Sequence, residues 1–287
     1  MSAAPRVRNV MSVDVEDYFQ VSAMEGIVSR DEWTTYESRV VDSTLRVLDL
    51  LAAHKVTATF FILGWVADQY PALVRRIVAA GHEIASHSYW HRLVYTLTPE
   101  TFREDLRRAR IAIEDAAGVA VHGYRAPSFS ITEQSLWALD VLIDEGYAYD
   151  SSIFPIRHDR YGIPSAPRKA HRVIRSGGSL LEIPGTAGRV GNVSVAVGGG
   201  HFRILPYACT RWAIRQLNET ERQPAMFYIH PWEFDPAQPR LPAPPLSRVR
   251  HYTNLGRTEE RFHRLMEEFA FDSIASVFPV GAGHGAS

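Results

Sequence analysis

Short apolar runs alternate with stretches of helical periodicity along most of the first 150 residues. Residues 56–63, for example, form a run of β-branched and aromatic side chains that is typical of a buried strand, whereas residues 44–53 repeat leucine at helical spacing. The same reasoning predicts strands at 10–15, 56–63, 83–86 and 225–229 and helices at 44–53, 71–80, 99–117, 135–145 and 258–269. This alternation predicts an α/β fold in which a parallel sheet is covered by helices.

Breakers and capping residues mark the ends of the elements and the regions between them. Thr98 is a suitable N-cap for the helix at 99–117, and Gly118 is a suitable stop. Residues 155–200 are rich in Gly, Pro and Ser and predict irregular or β-hairpin structure. Residues 236–245 contain five prolines and predict a loop, since proline donates no backbone hydrogen bond.

Polar clusters follow the predicted strands at their carboxyl ends. The sequence reads DVED at the end of the first strand, HSYWH after the strand at 83–86, RAPSF after Gly123 and Tyr124, and HPWE after the strand at 225–229. Because the carboxyl ends of parallel strands meet on one side of a sheet or barrel, clusters in this position predict one shared site.

The composition limits the classes of function. The 287 residues are 46 % apolar with a formal net charge of −1 and no basic patch, so nucleic-acid binding is not expected. A single cysteine, Cys209, excludes intrachain disulfides and cysteine-rich zinc sites, so any metal must be held by His, Asp or Glu. We expect no transmembrane segment, since no apolar run approaches the roughly 18 residues that a span needs.

Two histidines and three carboxylates in these clusters suit a divalent metal ion. His87 and His91 are four residues apart, and a helical turn would place both imidazoles on one face. Such pairs also occur without metal, and the position directly after a strand is what favours ligation here. Asp14, Glu16 and Asp17 lie at a strand end, where a cation would compensate their like charges. Two histidines and one carboxylate leave coordination positions for water and substrate, and a second carboxylate can take a proton from the water.

Arg125 and His230 complete the set of reactive side chains. An arginine at a strand end can orient a carboxylate and keep it ionised. A histidine at a strand end can act as the general acid toward a leaving amine. Metal ligands, base, base-orienting residue and acid are together the parts needed for metal-assisted hydrolysis of an amide.

In combination, these segments resemble a known family. The motifs SVDVEDYFQV, ASHSYWHRLVY, GYRAPSFSI, YDSSIFP, GGGHFRILPY and YIHPWEFDPAQPR are similar to those of polysaccharide deacetylases of carbohydrate esterase family 4, the group that includes nodulation-type chitooligosaccharide deacetylases. They most resemble the deacetylases of exopolysaccharide loci linked to exosortase and PEP-CTERM sorting. The resemblance, from about residue 10 to 271, implies an α/β fold, a distorted (β/α) barrel of about seven parallel strands. It also implies one deacetylase domain over 1–287, with barrel motifs in 10–235 and a family-specific C-terminal extension in 236–287.

The resemblance further implies an activity and a set of roles. The implied reaction is hydrolysis of N-acetyl groups on an amino-sugar polysaccharide, with release of acetate, by an enzyme that holds one divalent ion, zinc or alternatively cobalt. The family's base matches Asp14, its base-orienting arginine matches Arg125 and its acid matches His230. Its two metal histidines match His87 and His91.

The metal carboxylate is where this chain departs from the family pattern. Many members have two adjacent aspartates, whereas this chain reads DVED. Since residues i and i+2 of a strand face the same side, we expect Glu16 to be the ligand, with Asp17 as the alternative. Further candidates for contacts with substrate are Asp150, Trp232 and Tyr89, and Asp150 is alternatively a group that tunes His230.

Two other interpretations stay open at this point. The chain could be a metal amidohydrolase for a small or cyclic amide, or a glycan-binding module without activity. The glycan could be finished polysaccharide or a lipid-linked oligosaccharide. We expect a cytoplasmic protein, near the inner membrane face if the substrate is lipid-linked, and the sequence gives no indication of its oligomeric state.

Overall fold

The central feature of the computed structural model, which describes residues 7–191 and 193–279, is a long, mostly parallel sheet. Its strands and one separate hairpin are β1 (Arg8–Val15), β2 (Thr59–Ile62), β3 (Glu83–Ser86), β4 (Gly123–Tyr124), β5 (Tyr149–Asp150), β6 (His171–Arg175), β7 (Gly178–Glu182), β8 (Ala187–Val190), β9 (Val193–Ala196), β10 (Met226–Ile229) and β11 (Ala270–Asp272).

Seven of these strands run parallel in the order β10-β1-β2-β3-β4-β5-β7. The strand β6 is antiparallel to β7, and β11 lies parallel to the first half of β1. The predicted α/β class and the predicted number of parallel strands are therefore confirmed. Within residues 7–191 and 193–279 the chain of paired strands ends at β10 and β6, so the barrel is not closed by backbone hydrogen bonds.

The sheet is nevertheless strongly rolled. Arg125 follows β4, and its guanidinium contacts both Asp14 at 2.7 Å and the sulfur of Met226 at 3.1 Å. In a flat sheet, the three strand spacings between β4 and β1 would separate these residues by about 14 Å. The contacts require the sheet to curve until strands far apart in its order face each other.

Alternation along each strand produces two apolar cores. In β2, Phe60 and Ile62 pack outward beneath the helices, while Phe61 points into the rolled sheet. In β10, Phe227 packs outward and Tyr228 inward in the same way. Both faces of these strands are buried, which explains why they appear in the sequence as continuous apolar runs.

The helices surround this sheet. They are α1 (Val40–Ala53), α2 (Gly64–Gln69), α3 (Pro71–Ala79), α4 (Pro99–Ala117), α5 (Trp137–Asp144), α6 (Gly199–Ile204), α7 (Tyr207–Arg215), α8 (Pro245–Tyr252), α9 (Thr258–Glu268) and α10 (Ile274–Val277). The helix predicted at 99–117 is confirmed, with Thr98 as its N-cap and Gly118 in the left-handed conformation at its end. Across the parts of the chain that are described, no helix combines the length and the apolar character needed to cross a bilayer.

The largest difference from the predicted helices is at α1. It begins at Val40, four residues before the predicted start at 44. The carboxylate of Asp17 accepts hydrogen bonds from the backbone N–H groups of Arg39 and Val40, at 2.9 and 3.2 Å. A residue 23 positions upstream thus caps this helix, and local sequence gives no sign of such a cap.

The region at 155–200, predicted to be irregular or hairpin structure, contains both. A loop follows β5, and then come the antiparallel pairs β6–β7 and β8–β9. The proline-rich segment at 236–245 is a loop, as predicted, with a turn at 236–237, until α8 begins at Pro245. Five helices, α2, α6, α7, α8 and α10, were not predicted, since each has fewer than ten residues.

Candidate active site

A buried group of two imidazoles and one carboxylate lies at the carboxyl ends of β1 and β3. Potential ligand atoms of Glu16, His87 and His91 all lie within 4.8 Å of one another, and the three residues are at most 3 % exposed. Nε2 of His91 lies 2.6 Å from Oε2 of Glu16. The two atoms do not have the geometry of a hydrogen bond, and Oε2 has no other hydrogen-bond partner among the described residues. A buried oxygen without a partner is costly, and a cation would satisfy it. This donor set fits a divalent metal ion.

The orientation of His87 suits ligation through its outer nitrogen. Nδ1 of His87 lies 2.8 Å from the backbone carbonyl oxygen of Arg125. A carbonyl can only accept, so this bond places the proton on Nδ1 and leaves a lone pair on Nε2. Burial lowers the pKa of His87 to about 4, so the imidazole is neutral near pH 7, as a metal ligand must be.

His91 reaches the group by a loop, and the predicted helical turn is wrong. Ser88 and His91 both have positive φ, 71° and 51°. The carboxylate of Asp105, from α4, accepts bonds from the Ser88 hydroxyl at 2.6 Å and from the backbone N–H groups of Tyr89 and Trp90 at 2.8 and 3.2 Å. These bonds hold the backbone in a tight loop that brings the imidazoles together, with ring centroids 5.4 Å apart.

Of the two carboxylates considered as ligands, it is that of Glu16 that lies with the histidines. Asp17 faces the other way and caps α1, where the Ser38 hydroxyl also donates to it at 2.7 Å. Burial, partly offset by these hydrogen bonds, raises the pKa of Asp17 to about 6. The pKa of Glu16 behaves differently: burial would raise it, but His91, together with the charges of His230 and His87, outweighs burial and lowers it to about 2.

The two carboxylate oxygens of Asp14 have different surroundings. Nη1 of Arg125 donates to Oδ1 of Asp14 at 2.7 Å and to the Ser12 hydroxyl at 2.9 Å. Arg125 is fully buried and also donates to Ser151, while its guanidinium carbon lies 4.0 Å above the Phe61 ring. The second oxygen of Asp14, Oδ2, faces Nε2 of His230 at 3.9 Å.

His230 is positioned by a buried ion pair. Glu233 accepts a hydrogen bond from Nδ1 of His230 at 2.7 Å, and Nε of Arg203 donates to its other oxygen. Burial alone would lower the pKa of His230, but the hydrogen bond to Glu233 and the charges of Glu16 and Glu233 outweigh it and raise the pKa to about 9. Glu233 itself has its pKa lowered to about 2, because Arg203 and His230 outweigh the effect of burial. Nε2 of His230 therefore carries a proton toward the site.

The three residues expected to contact substrate have different surroundings. Trp232 lines the site cavity, donates Nε1–H to Oε1 of Glu16 at 3.2 Å and stacks on His230 with ring centroids 5.1 Å apart. Tyr89 is 3 % exposed, and its hydroxyl donates to Asp68 at a distance from the cavity. Asp150 is fully buried below the site, so Glu233, rather than Asp150, is the partner of His230.

Asp150 is one half of a buried carboxyl pair. It lies directly opposite Glu182 in the β5–β7 ladder, and both residues are fully buried. Burial raises the pKa of Asp150 to about 6, and burial together with the charge of Asp150 raises the pKa of Glu182 well above its usual value. The folded protein therefore retains a proton on this pair to a higher pH than the unfolded chain does.

Glu182→Gln is expected to flatten the loss of stability at alkaline pH. Above about pH 4.5, the unfolded chain binds fewer protons at this pair than the native state, so the free energy of unfolding of the parent protein falls as pH rises. Glutamine stays neutral, can keep the acceptor for the Ile153 N–H and can donate to Asp150. Urea unfolding between pH 5 and 9 measures the difference, with Glu104→Gln on the exposed face of α4 as control. Parallel pH profiles for the two variants would contradict a shared proton.

The site opens into a cavity of about 450 Å³. Asp14, Glu16 and the three histidines named above line one part of it. The loop after β5, the helix α6 and the end of α8 also line it, as do residues 21–23 and 128–129, so residues on both sides of the chain's midpoint contribute. The site could therefore not be assembled from the first 150 residues alone.

The fold and the site define a class of protein. A mostly parallel α/β sheet carries a candidate metal cluster, an arginine-held carboxylate and a protonated histidine at its carboxyl strand ends, which is the arrangement of a hydrolase for amide or ester bonds. Residues 30–143 match the polysaccharide deacetylase family model, and residues 151–279 match a domain of unknown function, DUF3473. The first of these segments is thus similar to polysaccharide deacetylase domains, as the motifs of the chain predict.

Relatives of known name agree with this assignment. The chain is 34 % identical to a chitooligosaccharide deacetylase of Sinorhizobium fredii over 143 residues, which cover 48 % of this chain and 64 % of that protein. It is also 34 % identical to a peptidoglycan-N-acetylglucosamine deacetylase of Bacillus cereus over 101 residues, 35 % of this chain and 37 % of that protein. The chain thus matches less than two thirds of the length of these relatives.

Solved structures agree in fold. A putative polysaccharide deacetylase from Mycobacterium smegmatis superposes with a TM-score of 0.62 and 20 % identity, covering 97 % of this chain and 92 % of the other. A family 4 carbohydrate esterase from Streptomyces lividans, solved with acetate, superposes with a TM-score of 0.52 and 17 % identity, covering 94 % and 93 %. The specific likeness to exosortase-linked deacetylases stays a prediction.

Sequence reasoning missed several residues that shape the site. Glu233 lies inside the HPWE motif, three residues after His230, and this spacing could have predicted their contact. Arg203 follows a run of three glycines and Glu182 ends a short strand, so each is identified only by its contacts. Asp105 lies within a regular amphipathic helix, where an acidic residue is ordinary.

Proposed function

We propose that the protein hydrolyses N-acetyl groups of an amino-sugar glycan and releases acetate. One observation carries the proposal: Oδ2 of Asp14 and Nε2 of His230 face each other at 3.9 Å in the cavity, directly beside the cluster of Glu16, His87 and His91. A proton acceptor, a proton donor and a set of metal ligands thus border the same space. Hydrolysis of an amide needs all three.

Glu16, His87 and His91 would hold the metal. When bound, a divalent ion there polarises the acetamide carbonyl and lowers the pKa of water, which prepares both reactants for attack. Trp232 donates to the remaining oxygen of Glu16, and the backbone carbonyl of Arg125 fixes the ring of His87, so the ligands are oriented by neighbours. We infer zinc for this ligand set, with cobalt as the alternative.

Asp14 acts as the general base in this proposal. Arg125 forms an ion pair with Oδ1, so Oδ2 is the atom that takes the proton of the attacking water. The guanidinium is fully buried and makes its other contacts with Ser12, Ser151 and Met226, which fix its position. The base is therefore preorganised by the buried contacts of Arg125.

His230 acts as the general acid. The imidazolium holds its proton on Nε2, since Nδ1 is bonded to Glu233, and it delivers this proton to the departing sugar amine. Arg203 makes its remaining hydrogen bonds to backbone carbonyls of Arg250, His251 and Thr253, so the ion pair with Glu233 is rigid. Glu233 thereby orients the ring and stabilises its charge.

A glycan fits the site better than a small amide. The cavity is open and adjoins a second cavity of about 440 Å³, with which it shares His158, Arg160 and Tyr161. A small or cyclic amide would favour an enclosed pocket, and a binding module without activity would not need an arginine-held base beside a protonated histidine. Relatives are named for chitooligosaccharides and for peptidoglycan N-acetylglucosamine.

We further infer that the described chain acts as one deacetylase unit, as the sequence predicts for 1–287. What supports this is that the site combines His87, His91 and Arg125 from the segment at 30–143 with His230 from the segment at 151–279. A role in exopolysaccharide biosynthesis follows from the motif resemblance alone.

Acetate release tests the reaction. We expect acetate from short N-acetylglucosamine oligomers with the protein as purified, at least a tenfold loss after treatment with chelator, and recovery with zinc or cobalt, since metal sites of this kind supply several kcal/mol. Metal content is measured on the same samples. Tight binding of one metal ion without acetate release would overturn the substrate, and the absence of metal binding would favour the inactive glycan-binding module.

A further inference from the structure

The outer part of the cavity contains a cationic side chain that the proposed chemistry does not use. Arg160, in the loop between β5 and β6, lines both the site cavity and the adjoining one and is partly exposed. No carboxylate lies within ion-pair distance of its guanidinium in residues 7–191 and 193–279, although its neighbour Asp159 pairs with Arg250 at 3.1 Å. The arginine is thus available to a ligand.

The other charges around the cavity are already balanced. Arg203 is paired with Glu233, and Asp14 is paired with Arg125. Glu16 belongs to the metal cluster, His230 is bonded to Glu233, and Arg250 is paired with Asp159. Among the described residues, Arg160 is therefore the arginine of this cavity that has no carboxylate partner. The adjoining cavity, by contrast, is lined by Glu133 and Asp159 as well as by Arg160. Because these carboxylates would repel an anion, we expect an anion to bind Arg160 from the site cavity.

The segment that carries Arg160 is held in place. The ring of Tyr161 stacks on His158 with centroids 4.0 Å apart, and the backbone N–H of Arg160 donates to Nδ1 of His158. Gly162 follows with φ 103°, where a Cβ would meet the Ile156 carbonyl oxygen at 2.2 Å. The ion pair of Asp159 with Arg250 ties the loop to α8. The backbone of Arg160 is therefore fixed by the contacts of the residues before and after it.

Neighbouring histidines add neutral hydrogen-bonding groups. His158 and His201 both line the site cavity, with ring centroids 6.4 Å apart. Burial lowers the pKa of both, so they are neutral near pH 7 and can donate without adding charge. An arginine flanked by neutral imidazoles suits a carboxylate or phosphate group.

We propose that Arg160 forms an anion-binding subsite and that the natural glycan carries a carboxylate or phosphate near the acetamido sugar that is cut. This inference rests on the proposed deacetylase function and specifies its substrate as an acidic glycan. A neutral oligomer would bind the same cavity without this contact.

The test measures binding and turnover separately. Three tetrasaccharides are compared: a neutral N-acetylglucosamine tetramer, one alternating N-acetylglucosamine with glucuronate, and the neutral tetramer with a phosphate at its reducing end. Calorimetry gives the affinity and acetate release gives kcat/KM for the parent protein, Arg160→Gln and Arg157→Gln. Arg157 is an exposed arginine of the same loop that lines neither cavity and serves as the matched control.

We expect the parent protein to bind at least one acidic glycan about 10-fold more tightly than the neutral one, as a charge-assisted hydrogen bond provides. Arg160→Gln should remove this preference, and Arg157→Gln should retain it. The glycan preferred, glucuronate or phosphate, identifies the source of the charge. Equal affinity for all three glycans, or a preference that survives Arg160→Gln, would overturn the subsite. If the acidic glycan binds more tightly through Arg160 but no acetate is released, the subsite is supported and the proposed deacetylase function is contradicted.

Discussion

Asp14→Asn is expected to lower kcat/KM for acetate release by about 10³-fold, within the range that a general base contributes. The asparagine oxygen can still accept from Arg125, so the side chain keeps its position, but it cannot take a proton from water. Because Arg125 is fully buried, losing the charge of its partner also costs stability, on the order of 1–3 kcal/mol. Initial rates of acetate release and urea unfolding measure the two effects separately.

The control for Asp14→Asn is the neighbouring acidic residue. Asp17→Asn removes a charge three positions away, where the carboxylate caps α1. We expect it to cost about 0.5–2 kcal/mol of stability, as a lost helix cap does, and to change kcat/KM by less than about threefold. If Asp14→Asn kept more than a tenth of the parent activity, Asp14 could not be the base.

Glu16→Gln is expected to weaken metal binding by more than about 100-fold, since even residues that only orient a ligand contribute 10- to 100-fold. The change removes the negative charge from the cluster while it keeps an oxygen for Trp232 Nε1–H. Acetate release should fall in parallel and recover in part at high metal concentration. Competition with a chromogenic chelator measures the affinity.

The comparison of Glu16→Gln with Asp17→Asn also decides which acid is the ligand. The sequence DVED favours Glu16 with Asp17 as the alternative, and of these two acids it is Glu16 that lies with His87 and His91. Metal affinity that survives in Glu16→Gln but is lost in Asp17→Asn would reverse the assignment and imply that the strand end rearranges when metal binds.

The two family regions depend on each other at the site. The segment at 30–143 carries the histidines of the metal cluster and Arg125, whereas the DUF3473 segment carries His230 together with Glu233 and Arg203. Arg203 is 1 % exposed and bonds three carbonyls at the end of α8, so the C-terminal helices are part of what fixes the acid.

Much of the fold could be predicted because its elements are locally encoded. The strand at 83–86 and the helix at 99–117 have their predicted bounds, since an apolar run, a capping threonine and a terminal glycine act within a few residues. Elements that depend on distant partners were placed less well. α1 begins early because Asp17 caps it from 23 positions away, and the short helices α6 and α8 exist by packing around the cavity.

The sequence by itself determined which side chains are available for chemistry and that they follow strands on one side of a parallel sheet. The reason is that strand and helix periodicity, together with the side-chain types, are properties of neighbouring residues. It thereby pointed to Asp14, His87, His91, Arg125 and His230 before any contact was known.

Only the tertiary structure decided how these side chains are paired. The roll of the sheet brings Arg125 to Asp14, the Asp105 carboxylate bends the loop of His87 and His91, and Arg203 with Glu233 orients His230. Each of these contacts joins residues on different elements, and their energies come from burial and charge in the folded state. A one-dimensional pattern does not contain these distances, so the capping role of Asp17 and the unpaired guanidinium of Arg160 become visible only in the folded protein.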